Sequence, residues 1–106
     1  MNINAIEKAL VAFRDKQVTD GTKCTGLRIR IGEQSFIIGD CWNCRVDSAT
    51  KAVLDKKSKT LTLSFHYESD EPRPRTEIID CDHVFGICVE SSRDSEVPPD
   101  VTVEIL

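Results

Sequence analysis

The stretch Lys59-Thr60-Leu61-Thr62-Leu63-Ser64-Phe65-His66-Tyr67 alternates strictly, with Leu61, Leu63, Phe65 and Tyr67 on one face and Thr60, Thr62, Ser64 and His66 on the other. Period-two alternation predicts a half-buried strand. A strand with one apolar and one polar face belongs to an antiparallel sheet packed on one side only.

Upstream, Asp55-Lys56-Lys57-Ser58-Lys59 has the chemistry of a turn, because an Asp side chain accepts from backbone amides two residues on. Asp47-Ser48-Ala49-Thr50-Lys51 has the same form. Two such turns predict a meander through residues 45–58, in preference to a helix striped by Val46, Ala49, Val53 and Leu54. Earlier still, Leu27, Ile29 and Ile31 alternate with Arg28 and Arg30, and Gly32-Glu33-Gln34 turns the chain into Ser35-Phe36-Ile37-Ile38. This predicts a hairpin with both arginines on its outer face. At the start, Asn4-Ala5-Ile6-Glu7 fits a capping box, and Ile6, Ala9, Leu10 and Phe13 recur at helical spacing. They predict a helix over residues 5–16 that packs on the sheet.

Downstream, Pro72 and Pro74 make residues 68–75 a charged loop. Strands follow at 76–80 and 83–90, with Ile79, Cys81, Val84, Ile87 and Val89 supplying apolar contacts. A polar loop carries Pro98-Pro99, and Val101, Val103 and Ile105 form a last strand. Such a terminal strand sits at a sheet edge or closes a small barrel, and at an edge it offers homodimerisation or strand addition. The fold class expected is α+β: an N-terminal helix on a curled antiparallel sheet of about six strands, a meander verging on a small barrel. Residues 1–106 are read as a single domain.

With 40% hydrophobic and 30% charged residues the composition is that of an ordinary globular domain. The opening residues have no signal-peptide pattern and no apolar run is long enough to span a bilayer, so the expected setting is soluble and cytoplasmic. Charge is uneven along the chain. Through Lys59 there are 11 Lys/Arg against 7 Asp/Glu, a balance of +4; from Thr60 there are 3 against 11, a balance of −8. One consequence is an acidic surface that docks on a basic or nucleic-acid-binding partner, with Asp80, Asp82 and Glu90 as its charged residues. The other is that the two sets interleave in space. Arg28 and Arg30 form a phosphate-binding candidate, but with six aromatic residues in the chain, most of them needed inside, direct nucleic-acid binding is disfavoured.

Asp40-Cys41-Trp42-Asn43-Cys44-Arg45 is the one segment with the spacing of a chemical motif. Read as a knuckle, Cys41 and Cys44 bind zinc together with two of Cys81, His83 and Cys88. Read as a redox pair, they need a helix start to depress the first thiol pKa, as in a thiol-disulfide oxidoreductase. Read as packing residues, they are small buried hydrophobes. Five cysteines in a chain of this kind are read as reduced thiols rather than disulfides. Trp42, between the two thiols, is a candidate binding anchor. No glycine-rich phosphate loop, paired metal-spaced histidines or serine elbow is present, and a Cys81–His83 nucleophile–base pair has no third orienting group. The reading is therefore of binding rather than catalysis: a small intracellular inhibitor, immunity-type or phage-encoded antagonist acting through an acidic surface, without a cofactor unless zinc is bound.

Overall fold

A computed structural model describes residues 1–19, 24–39, 48–65, 75–92 and 101–106. Helix α1 (Ile3–Thr19) is followed by strands β1 (Cys24–Ile31), β2 (Gln34–Ile38), β3 (Ser48–Asp55), β4 (Thr60–Phe65) and β5 (Arg75–Asp80). A 3-10 turn, η1 (Cys81–His83), leads to β6 (Gly86–Ser92), and β7 (Thr102–Ile105) ends the chain. The hydrogen-bonded order is β5-β4-β3-β2-β1-β6, with β7 paired to β3. The fold is α+β, as the sequence pattern implies.

The helix begins earlier than residue 5. Asn2, not Asn4, caps it: the Asn2 carbonyl accepts from the Ala5 and Ile6 amides, and its side chain accepts from the Asn4 amide at 2.8 Å. A capping box would need Glu or Gln three residues on, and Ala5 stands there, so the box centred on Asn4 does not form. Ile6, Leu10 and Phe13 are fully buried, as their spacing requires.

The β1–β2 hairpin closes through Gly32-Glu33, with Ile31 opposite Gln34 and Gly32 at φ +58°. A positive φ at the first central residue of a two-residue loop is the glycine position of a type II′ turn, whose twist matches the flanking strands. Leu27 and Ile29 face the core and Arg30 faces solvent.

The stretch around Leu61, Leu63 and Phe65 behaves as its alternation demands: all three are buried, and Thr60, Thr62 and Ser64 are half-buried. The turn before it also forms. Asp55 Oδ1 accepts from the Lys57 and Ser58 amides at 3.0 and 3.2 Å, and Lys59 closes the loop at φ +56°.

The meander and the all-antiparallel sheet do not hold. Ser48 to Lys51 lie inside β3, so no turn forms there, and β3 runs parallel to β2 through Ile37–Ser48 and Ile38–Ala49. A break in register follows between Ala49 and Lys51 on the β4 side. Beyond it β3 takes β7 as a second parallel neighbour, from Lys51–Thr102 to Leu54–Ile105. A bulge bends a strand and increases its twist, and here it is where β3 leaves one neighbour and accepts another. The sheet is mixed, with two halves, β6-β1-β2 and β7-β3-β4-β5, meeting beside Ala49.

The sheet is not closed into a barrel, but it curls. Laid flat, six strands at ~4.8 Å spacing would hold β5 and β6 about 24 Å apart. The link from Asp80 to Gly86 contains a 3-10 turn and reaches only about 16 Å. Within it the Cys81 amide donates to the Lys59 carbonyl, Val84 to Cys81, and Phe85 to Arg30. The link thus ties the β3–β4 turn to the end of β1. The expected strand at 83–90 is shortened accordingly, with η1 taking residue 83 and β6 starting at Gly86. Cys81 and Val84 point inward and join one cluster with Ile6, Leu10, Phe13, Leu27, Ile29, Ile38, Ala49, Ala52, Leu54, Leu61, Leu63, Phe65 and Ile79. Among the described residues no helix is long and apolar enough to cross a membrane.

Candidate functional site

The link between β5 and β6 displays polar and apolar groups from a fixed backbone. Asp80 lies at the end of β5 and its Oδ1 accepts from the Asp82 amide at 3.0 Å, which holds the Asp80 carboxylate at the start of η1. Asp80, Asp82 and His83 are exposed. Phe85 follows the buried Val84 and is 61% exposed, although its own amide is bonded to Arg30 at 3.0 Å. A backbone already fixed by hydrogen bonds has little main-chain freedom left to lose when the ring docks.

The electrostatic setting is mixed. Lys56, Lys57 and Lys59 are exposed on the adjoining turn, whose Lys59 carbonyl accepts from Cys81, and Lys56 Nζ lies 3.4 Å from Glu7 on α1. Basic residues of the first half and acidic residues of the second therefore share one end of the molecule. At this place the charge asymmetry of the sequence is interleaved in space.

The cysteine constellation divides. Cys41, Trp42 and Cys44 lie outside the described residues, but the chain leaves for them at Gly39, whose amide donates to Ala49 at 3.1 Å, and returns at Ser48. Cys81 is anchored at Lys59, at the other end of β3, about 20 Å away at strand rise. Cys81 is buried while His83 is exposed, so η1 turns that pair to opposite sides rather than presenting both from one strand face. Cys88 is exposed on the outer face of β6, opposite Arg28. The Cys81 thiol is pushed above its ordinary value by burial first, then by Asp80 and Asp82. Among the described residues no three His, Cys, Asp or Glu side chains gather as a metal site. Glu90 lies in β6, and its side chain falls outside the described residues.

A concavity opens on the inner face, where Gln34, Ser35 and Phe36 of β2 face Arg75 and Glu77 of β5 across a cleft of about 350 Å³. Phe36 of its lining packs against the buried Phe65, with ring centroids 6.3 Å apart, and the Arg75 guanidinium sits 4.3 Å from the Phe65 centroid. Arg75 Nε also faces Glu77 Oε1 at 3.4 Å. Arginine on an aromatic face beside a carboxylate is a self-consistent arrangement that holds the start of β5 to the end of β4.

Phe85 and this cleft are what residue patterns alone do not pick out. Phe85 sits between Val84 and Gly86 and reads as one more core residue. Gln34, Phe36, Arg75 and Glu77 meet only because the sheet curls. Comparison with protein families, with curated proteins and with solved structures finds no match.

Proposed function

We propose that this chain is a small protein-binding module that docks through the β5–β6 link, with Phe85 as anchor and Asp80 and Asp82 as the charged rim. The observation that carries the reading is the exposure of Phe85 on a backbone whose amides at Cys81, Val84 and Phe85 are all bonded. Aromatic side chains in such settings supply most of the energy of an interface, and rim charges set approach and register. The partner's complementary surface is an apolar pocket beside basic groups, of the kind found on nucleic-acid-binding proteins. An antagonist that occludes such a surface fits this chemistry.

The test is capture from native cells with the parent chain and with Phe85→Ala and Asp80→Lys/Asp82→Lys variants. Phe85→Ala is expected to lose the captured partner or weaken it by roughly 30-fold or more, at unchanged thermal stability, since truncating an anchor costs on the order of 2 kcal/mol. The double charge reversal is expected to slow association, with the largest effect at low salt. A partner that binds Phe85→Ala as tightly as the parent rules out this surface.

A further inference from the structure

We propose that the edge of β5 left unpaired among the described residues is a self-association surface, at which a second copy of this chain adds antiparallel about a two-fold axis through Ile78. The proposal does not use Phe85, but Asp80 belongs both to this edge and to the rim of the docking surface, so the variants that test it are placed at Ile78 and Glu77.

Among the described residues β5 pairs with β4 alone. Ile78, on its outer face, is 71% exposed, more than any other large apolar side chain described. The hydrogen-bond phase of the strand shows what the edge offers. Because the Cys81 amide donates to Lys59, the bonded pairs in the β4–β5 ladder are those of Ile79, Glu77 and Arg75 with Leu61, Leu63 and Phe65. The main-chain groups of Thr76, Ile78 and Asp80 therefore point away from β4, toward the open side.

A symmetric antiparallel pair has few registers to choose from. Centred on Ile78, it sets Ile78 against its mate and Thr76 against Asp80 of the second copy, and every pair exchanges both hydrogen bonds. The two isoleucines then cover each other on the outer face, and a threonine hydroxyl faces a carboxylate. Centred on Glu77, the pair would oppose two glutamates at the close, non-bonded spacing, where like charges repel. Centred on Ile79, it would leave Thr76 unused and set Asp80 against Ile78. Only the first register uses all three outward residues without a like-charge contact.

The other edges fit less well. Helix α1 packs against β6 and β7, and the inner residues of β7 are half-buried, whereas Ile78 of β5 is largely exposed. The proposal places the contact on the fifth strand, and the contact expected at the last strand is the alternative that the variants below separate from it. Pairing one short strand buries less than a standard interface, so the dimer is weak, forming in the micromolar range or above.

Sedimentation of the full chain over a concentration series is expected to show a monomer passing to a dimer. Ile78→Lys sets two ammonium groups at the axis and is expected to raise the dissociation constant at least tenfold while its circular dichroism and melting match the parent. Ile78→Cys under mild oxidation is expected to give a covalent dimer, while the parent chain, with its native thiols, and Glu77→Cys do not, since self-paired Cα atoms lie ~5.5 Å apart, within disulfide reach. A chain that stays monomeric at millimolar concentration overturns the proposal. So does a dimer that Ile78→Lys leaves intact, which would place the contact on another edge or on Phe85, or an Ile78→Cys chain that cross-links no faster than Glu77→Cys.

Discussion

Cys81 and Cys88 are close in sequence and opposite in circumstance. Cys81 is buried beneath η1 and its thiol is held protonated by burial and by Asp80 and Asp82; Cys88 is exposed on β6. Alkylation needs both access and thiolate, so Cys88 is expected to label quickly with iodoacetamide at mild alkaline pH and Cys81 only as fast as the link opens. Peptide mapping by mass spectrometry reads the two rates, and equal rates would mean that the link is not a closed structure in solution. The linkage has a definite sign. A thiol whose folded pKa is raised contributes its full stability below the unfolded value of about 8.5, and that contribution declines as pH climbs from there toward the raised folded value. Neighbours in sequence mislead at two more residues. Ile78 and Ile79 read alike, yet strand alternation sends Ile79 to the core and Ile78 to solvent. Val84 and Phe85 split the same way.

At the scale of elements, Asp55 sets the β3–β4 turn. Hydrogen bonds from the Ser58 backbone and side chain, and from the Lys57 amide, hold its carboxyl below the ordinary aspartate value. A depressed carboxyl contributes stability that is present above its unfolded pKa, about 3.9, and lost as pH falls through the folded value. Urea denaturation at pH 7 and pH 3 is expected to show a smaller acid loss for Asp55→Asn than for the parent, because the amide does not titrate. Equal losses would dissociate the turn from acid stability. The same element shows why local chemistry was only partly decisive. Asp47 and Asp55 open near-identical polar runs, yet Ser48 to Lys51 continue as strand while Lys56 to Lys59 form a turn. Ser48 finds a parallel partner in Ile37, and main-chain pairing outweighs a weak turn preference. Likewise Asn2 and Asn4 both suit a helix start, and the cap forms at the one two residues upstream, which extends α1 by a half turn.

For the molecule as a whole, curl and closure rest on few pieces. Helix α1 packs on β1, β6, β7 and η1, and its Phe13 is fully buried among the strands. Phe13→Ala is expected to cost about 3–5 kcal/mol, a large share of the 5–15 kcal/mol that holds a domain of this size folded. Chemical denaturation measures it; a loss below 1 kcal/mol would mean that the helix does not seal the core. By contrast Phe85→Ala, at an exposed ring, is expected to leave stability within about 0.5 kcal/mol. The sequence by itself determined the period-two strand around Leu63, the hairpin at Gly32, the turn at Asp55, the stripe of α1 and hence the α+β class, because each is set by side chains within a few residues of one another. Only the tertiary structure decided that β3 runs parallel to β2 and β7, that Arg75 meets Phe65 opposite Phe36, that Lys59 adjoins Asp80, and that Phe85 and Ile78 face water. Those outcomes depend on which distant strand supplies a hydrogen-bonding edge and on how far the sheet must bend for a five-residue link to span it, and neither is encoded within any one segment.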